Sequence, residues 1–165
     1  MNIFYLHPDP KIAAQMQCDK HVVKMILETA QILSTAHREL DGDNVPDTLY
    51  KATHKNHPCS KWVRTSAANY AWAYRHFVAL CDEYTHRYGK VHLTDQKLRG
   101  VLCAPPRNIQ HGFWFRPPPQ CMPDDYKQDD AVDAYRAYYQ SPEKQRFATW
   151  DKGRPAPTWY VFEKF

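Results

Sequence analysis

From His21 onward, four side chains able to bind an anion or move a proton recur at three- and four-residue steps: His21, Lys24, Glu28 and Gln31, with Lys20 just ahead and Thr35 one turn beyond. On a helix turning about 100° per residue they share one face, opposite an apolar stripe of Val22, Met25, Ile26, Ala30, Leu33 and Ala36. Two ammonium groups, an imidazole and a carboxylate would then lie on one exposed strip. A ligand along that strip would meet a cation, a titratable ring and a general acid or base together. The same pattern also describes a solvated helix face with an ordinary Lys24 to Glu28 ion pair, and spacing alone does not separate the two.

Other residues carry weaker chemistry. His54, His57 and Cys59 are ligand types for zinc, but no fourth ligand follows at zinc-motif spacing. His54, Lys55, His57, Lys61 and Arg64 fit better as a rim touching phosphates, which asks only for clustered cations. Phe113, Trp114 and Phe115 beside Arg116 could stack on an extruded base, or pin a long loop across the core. The 5 cysteines (Cys18, Cys59, Cys81, Cys103 and Cys121) are odd in number and never form C-x-x-C, so neither a disulfide framework nor a thiolate zinc site is indicated.

The elements that must position these groups are mostly helical. Residues 1–6 read as a short strand or extended segment, ended by the two prolines of His7-Pro8-Asp9-Pro10. The amphipathic pattern runs from Asp19 to His37, and Asp41-Gly42 closes it. Lys61 to Tyr88 forms a second long helical pattern with Trp62, Tyr70, Trp72, Phe77, Leu80 and Tyr84 inward. A shorter helix starts near Thr94-Asp95, and further helix is expected at Asp130 to Tyr139 and Glu143 to Trp150. Between them, residues 104–125 form an irregular proline-rich loop.

The chain has 165 residues, 43% of them hydrophobic and 14% aromatic, enough for one domain over 1–165. Its 22 Lys and Arg against 18 Asp and Glu make it mildly basic, which suits a polyanionic partner. The N-terminus lacks the basic and apolar regions of a signal peptide, and no stretch is long and apolar enough to span a bilayer, so a cytoplasmic protein is expected.

The segment Asp19-Lys20-His21-Val22-Val23-Lys24-Met25-Ile26-Leu27-Glu28 resembles the D-x-H-x6-E helix of the pyrimidine-dimer DNA glycosylases of the endonuclease V type. Leu6-His7-Pro8, Asn56-His57-Pro58 and Pro157-Thr158-Trp159-Tyr160 resemble further pieces of that family in order along the chain. The resemblance implies Glu28 as the catalytic acid and His21 as a DNA contact. It also implies an α-amine that attacks the sugar C1′. The chain departs from the family at three places. Residue 2 is Asn, beside which the initiator Met is usually retained. The family's arginines just before the glutamate and three after it are Leu27 and Gln31.

The resulting expectation is a mainly α, compact single-domain protein, a divergent and phage-encoded member of that family, acting on a pyrimidine or modified base in DNA. Glu28, Lys24 and Met1 are its catalytic candidates. His21, Lys20, Gln31, His57, Lys61, Arg64 and Arg116 are its DNA contacts, on a duplex with a flipped base. No metal, cofactor or membrane is expected, and the protein should act as a monomer. Three alternatives stand beside it: a non-catalytic DNA or nucleotide binder on the same fold, a thymine-hypermodification transferase of a phage, and a metal-dependent hydrolase using His54, His57 and Asp19.

Overall fold

The structure, a computed structural model, describes residues 1–112 and 114–163. Phe113, expected in the aromatic cluster, lies outside them. Among the described residues the order is α1 (Pro10–Met16), α2 (Asp19–Asp41), α3 (Pro58–Val63), α4 (Ala67–Tyr88), α5 (Leu93–Leu98), α6 (Ala131–Tyr139) and α7 (Pro142–Gln145). Single 3-10 turns lie at Val101–Cys103 and Asp124–Tyr126. The mainly α expectation holds. The two long helices, α2 and α4, pack on one another; α1 lies across α4, while α3 and α5 flank α2.

The ends of these elements follow from local chemistry. Asp9 caps α1 with its carboxylate, and Pro10 opens the helix where no intrahelical N–H is needed. Helix α2 runs one turn further than its apolar periodicity predicts and stops at Gly42, whose φ of 63° reverses the chain. The pattern expected as one helix from Lys61 to Tyr88 is two. Ser66 Oγ accepts from Asn69 N at 3.1 Å, and Asn69 Nδ2 donates to Trp62 O at 2.9 Å. Side chains thus take over backbone groups that a continuous helix would pair internally. The six rings and side chains expected inward on these helices are all buried. Helix α5 is capped by the His92 ring rather than by Thr94, and α7 ends at Gln145, well short of Trp150.

The opening segment forms no strand. Ile3, Phe4, Tyr5 and Leu6 are all buried, and side chains satisfy their backbone where a sheet neighbour would have done so. Asn2 Oδ1 accepts from Ile3 N and Phe4 N, Gln17 Nε2 donates to Ile3 O, and Arg136 Nε donates to Leu6 O. Phe4 has a φ of 57°, a left-handed conformation that is costly for a side chain of this size and is held here by the Asn2 cap.

A buried ionic hub anchors the start of α2. Arg87, near the end of α4, donates to Asp19 Oδ1 at 3.0 Å, Glu83 Oε1 at 2.8 Å, and the carbonyls of Gln17 and Gln15. The second Asp19 oxygen accepts from Asp151 N at 2.8 Å and Thr149 Oγ1 at 3.3 Å. Arg154 closes on both oxygens of Glu83. Burial alone would raise the Glu83 pKa, but hydrogen bonds from Arg154 and Arg87 outweigh it and hold the carboxyl below its ordinary value.

Candidate functional site

Helix α2 carries His21, Lys24, Met25 and Glu28 along one flank of a cavity of about 200 Å³. Its remaining lining comes from Met1, Asn2 and Phe4, from Cys121 of the proline-rich loop, and from Tyr138 and Lys144 of α6 and α7. At its centre the Met1 α-ammonium lies 3.4 Å from Glu28 Oε1. Lys24 Nζ stands 3.7 Å from the other carboxylate oxygen, and its side chain is 64% exposed against 14% for Glu28. Glu28 Oε2 is itself buried and has no hydrogen-bond partner among the described residues. A carboxylate so placed has a free lone pair beside an amine.

Asn2 is the reason the amine sits there. While its Oδ1 caps the backbone of Ile3 and Phe4, its Nδ2 donates to Cys121 O at 2.8 Å, so one side chain fixes the bend of the first residues and ties them to the loop. On the far side, Ser60 of α3 reaches the Met1 thioether at 3.7 Å. Residue 2 stood out in the sequence as a departure from a family pattern; its positioning role depends on a contact across 119 residues.

The exposed strip expected along α2 is not exposed throughout. His21 and Thr35 are buried, since the opening segment with α6 and α7 covers one end of that face, and Thr53 pairs with Thr35 at the other. The His21 ring stacks on Phe4 with centroids 4.2 Å apart, and its Nδ1 lies 2.6 Å from the Tyr139 hydroxyl. Burial first, then the charges of Lys144, Lys24 and Lys20, press its pKa down to about 3. His21 is therefore a neutral wall of the cavity, with no charge to offer a phosphate at neutral pH.

Lys144 is a site residue that the sequence did not disclose. It is buried, with Nζ 4.7 Å from the Tyr138 ring centroid and 5.3 Å from that of Phe4, an aromatic cage around one cation. Nothing in Ser-Pro-Glu-Lys marks it, because the cage is closed by Phe4 from the opposite end of the chain. Lys20 lies over Phe147 at 4.7 Å, next along the surface.

The other predicted contacts fall outside the cavity. Gln31 is half-buried further along α2; Lys61 is exposed on α3, and Arg64 ends that helix with its Nη1 buried and without a hydrogen-bond partner among the described residues. Arg116 is exposed over Trp114 at 5.4 Å, and its backbone is clamped by Trp62 and Asn69. Asp19 is taken up by Arg87 and the 149–151 backbone, so it does not join His54 and His57 in a metal set. His57 caps α3 through Nδ1. Its pKa is lowered by burial and by the nearby Met1 ammonium and His54, with Glu28 opposing.

A second hollow of about 540 Å³ opens on the other flank of Lys24 and Glu28. Val23, Leu27, Tyr50 and Leu93 line it, and Leu27 and Leu93 are left 42% and 74% exposed. Glu28 thus stands between a polar cavity and an apolar one. Among the described residues, no helix is long and apolar enough to cross a membrane.

Residues 1–97, which include Met1, the whole of α1 to α4 and most of α5, match the sequence profile of the family described as pyrimidine dimer DNA glycosylase. No curated protein and no solved structure matches the chain.

Proposed function

Because the chain belongs to the pyrimidine dimer DNA glycosylase family, we propose that it excises a pyrimidine or modified pyrimidine from DNA, with the Met1 α-amine as nucleophile and Glu28 as acid and base. The observation that carries this reading is the 3.4 Å approach of that amine to the half-buried Glu28 carboxylate inside a cavity. An amine attacks only when neutral, and the Glu28 carboxylate stands within reach to accept its proton. The neutral nitrogen bonds to C1′ as the bond from C1′ to the base breaks, and the base leaves with the electron pair and takes a proton from water. The nitrogen then loses one N–H proton to solvent, and opening of the sugar ring, with the proton returned from Glu28 to the ring oxygen, gives the protonated imine that borohydride reduces.

Lys24, whose ammonium lies 3.7 Å from Glu28 Oε2, is the second candidate nucleophile. Neutral His21, stacked on Phe4, and the caged Lys144 form the wall against which the sugar would lie. Lys20, Gln31, His57, Lys61, Arg64 and Arg116 contact the backbone around it, and the apolar hollow beyond Leu27 receives the displaced base. The whole chain acts as one unit in this reading. Tyr138 and Lys144 come from beyond residue 97 yet line the same cavity.

Borohydride trapping on duplexes containing pyrimidine dimers or modified pyrimidines tests the proposal. Wild-type protein should give one covalent adduct, and protein acetylated at its N-terminus should give none. An adduct that survives acetylation transfers the nucleophile to Lys24. No adduct on any such duplex removes the imine mechanism. A non-catalytic binder is the rival reading, favoured by the exposed Leu27 and by Gln31, which leave this face of α2 short of cations; it predicts Glu28→Gln with unchanged DNA affinity and no turnover in either form.

A further inference from the structure

Cys59 and Cys121 are 62 residues apart in sequence, yet their sulfurs lie 3.5 Å from one another. His57 joins them: one ring nitrogen and the two Sγ atoms all lie within 4.8 Å of each other. A tetrahedral zinc ion with Zn–S bonds of about 2.3 Å and Zn–N of about 2.0 Å needs ligand atoms roughly 3.5 to 3.8 Å apart. The two sulfurs, 3.5 Å apart, need to open by about 0.3 Å to reach the sulfur–sulfur value at the upper end of that range. The imidazole, at the start of α3, needs a shift of up to about 1.3 Å.

The scaffold around the three residues is fixed on both sides. His57 and Cys59 belong to the cap and first turn of α3, with Cys59 fully buried. Cys121 is clamped through its backbone, its carbonyl accepting from Asn2 Nδ2 at 2.8 Å and its N–H donating to the Tyr135 hydroxyl at 3.3 Å. The Tyr135 hydroxyl in turn donates to Pro119 O, so the loop is held in place before any ligand arrives.

We propose that His57, Cys59 and Cys121 form a binding site for a thiophilic divalent ion of the zinc class, with three protein ligands and a fourth position beside the Met1 amine. The donor set excludes hard cations, which take oxygen ligands. Two thiolates and a neutral imidazole around a divalent ion carry no net charge, so the filled site can stand next to the Met1 and Glu28 ion pair without adding a buried charge. On binding, each thiol loses its proton to solvent. The His57 lone pair that accepts from Cys59 N at 3.1 Å turns to the metal or is protonated as the other nitrogen ligates, so metal replaces the α3 cap. The ion would pin the proline-rich loop to α3 across the cavity wall. The inference does not rest on the glycosylase reading, and its test involves no DNA.

Fully reduced protein is titrated with Co²⁺ alone, followed by Zn²⁺. Expected are one cobalt per chain, tetrahedral visible bands, a sulfur-to-cobalt charge-transfer band of two-thiolate strength, and loss of all three when zinc is added. Cys121→Ser should weaken binding by at least about tenfold and halve the charge-transfer intensity, while Cys103→Ser, an exposed thiol elsewhere, leaves both unchanged. His57→Ala should weaken binding without changing the thiolate intensity at saturation. Absence of a stoichiometric cobalt spectrum in the folded wild type overturns the proposal, as does an unaltered spectrum in Cys121→Ser. If that variant does not fold, wild-type alkylation mapping decides: zinc should protect Cys121 and not Cys103, and equal labelling refutes the site.

Discussion

Lowering the pH from 7 to 5 should destabilise this protein steeply, and His21 should account for close to half of the loss. In the unfolded chain its imidazole titrates near 6.5; in the folded protein burial and three lysines hold it down to about 3. A folded pKa below the unfolded one leaves stability intact above pH 6.5 and removes it as pH falls from there toward the folded value, because only the unfolded state takes up the proton. Between pH 7 and 5 this amounts to about 2 kcal/mol for His21. His76, wholly buried and shifted to about 4, adds about the same. Over that interval the carboxylates contribute little, since their ordinary values lie near 4. Urea unfolding at pH 7, 6 and 5 should therefore show a wild-type slope of at least about 2.5 kcal/mol per pH unit below pH 6. In His21→Gln, whatever its absolute stability, the slope between pH 6 and 5 should fall by about 1.2 kcal/mol per unit. His37 is also shifted down, but it contributes equally to both proteins and cancels in the comparison. A variant slope equal to that of wild type would show that His21 is not held neutral, and the account of the cavity wall would be wrong.

Glu28→Gln should leave the fold intact and lower the rate of adduct formation by about 10²- to 10⁴-fold in single-turnover trapping, the usual worth of a positioned acid or base. Asn2→Ala removes the donor to Cys121 O and the cap that holds Phe4 at positive φ; denaturant unfolding should show a loss of about 1–3 kcal/mol, with trapping reduced beyond what the unfolded fraction explains. Arg87→Met leaves Asp19 buried without its cation and Glu83 with Arg154 alone, so unfolding free energy should fall by about 3–5 kcal/mol at neutral pH. Intact-mass measurement should find Met1 retained, as Asn at position 2 implies; a mass lacking one methionine would place the Asn2 amine at the terminus instead.

Helix α2 was legible because an apolar stripe with a 3.6-residue period reports which face meets the core, whatever the core consists of. Its far face was misjudged for the same reason. Periodicity registers one buried side and cannot register a second layer, here Phe4, Tyr139 and Lys144, arriving from the two ends of the chain. The break between α3 and α4 was missed because Ser66 and Asn69 are compatible with a helix interior until their side chains are seen to take the backbone bonds. Asp19 read as the head of a functional motif, yet its oxygens are occupied by Arg87 and the 149–151 segment, so its place in the motif is to seat the helix that carries Glu28.

By itself, then, the sequence determined the local facts: helical stretches, their apolar faces, the proline-rich interruption, and a family spacing that put His21 and Glu28 on α2. Only the tertiary structure decided which groups meet. The Met1 amine reaches Glu28, Lys144 comes over the Phe4 ring, and Cys121 comes to Cys59, all between segments separated along the chain. Side-chain spacing within a helix is set by backbone geometry and can be read from residue numbers. Contacts between distant segments are set by how their buried surfaces pack, and no interval in the sequence encodes them.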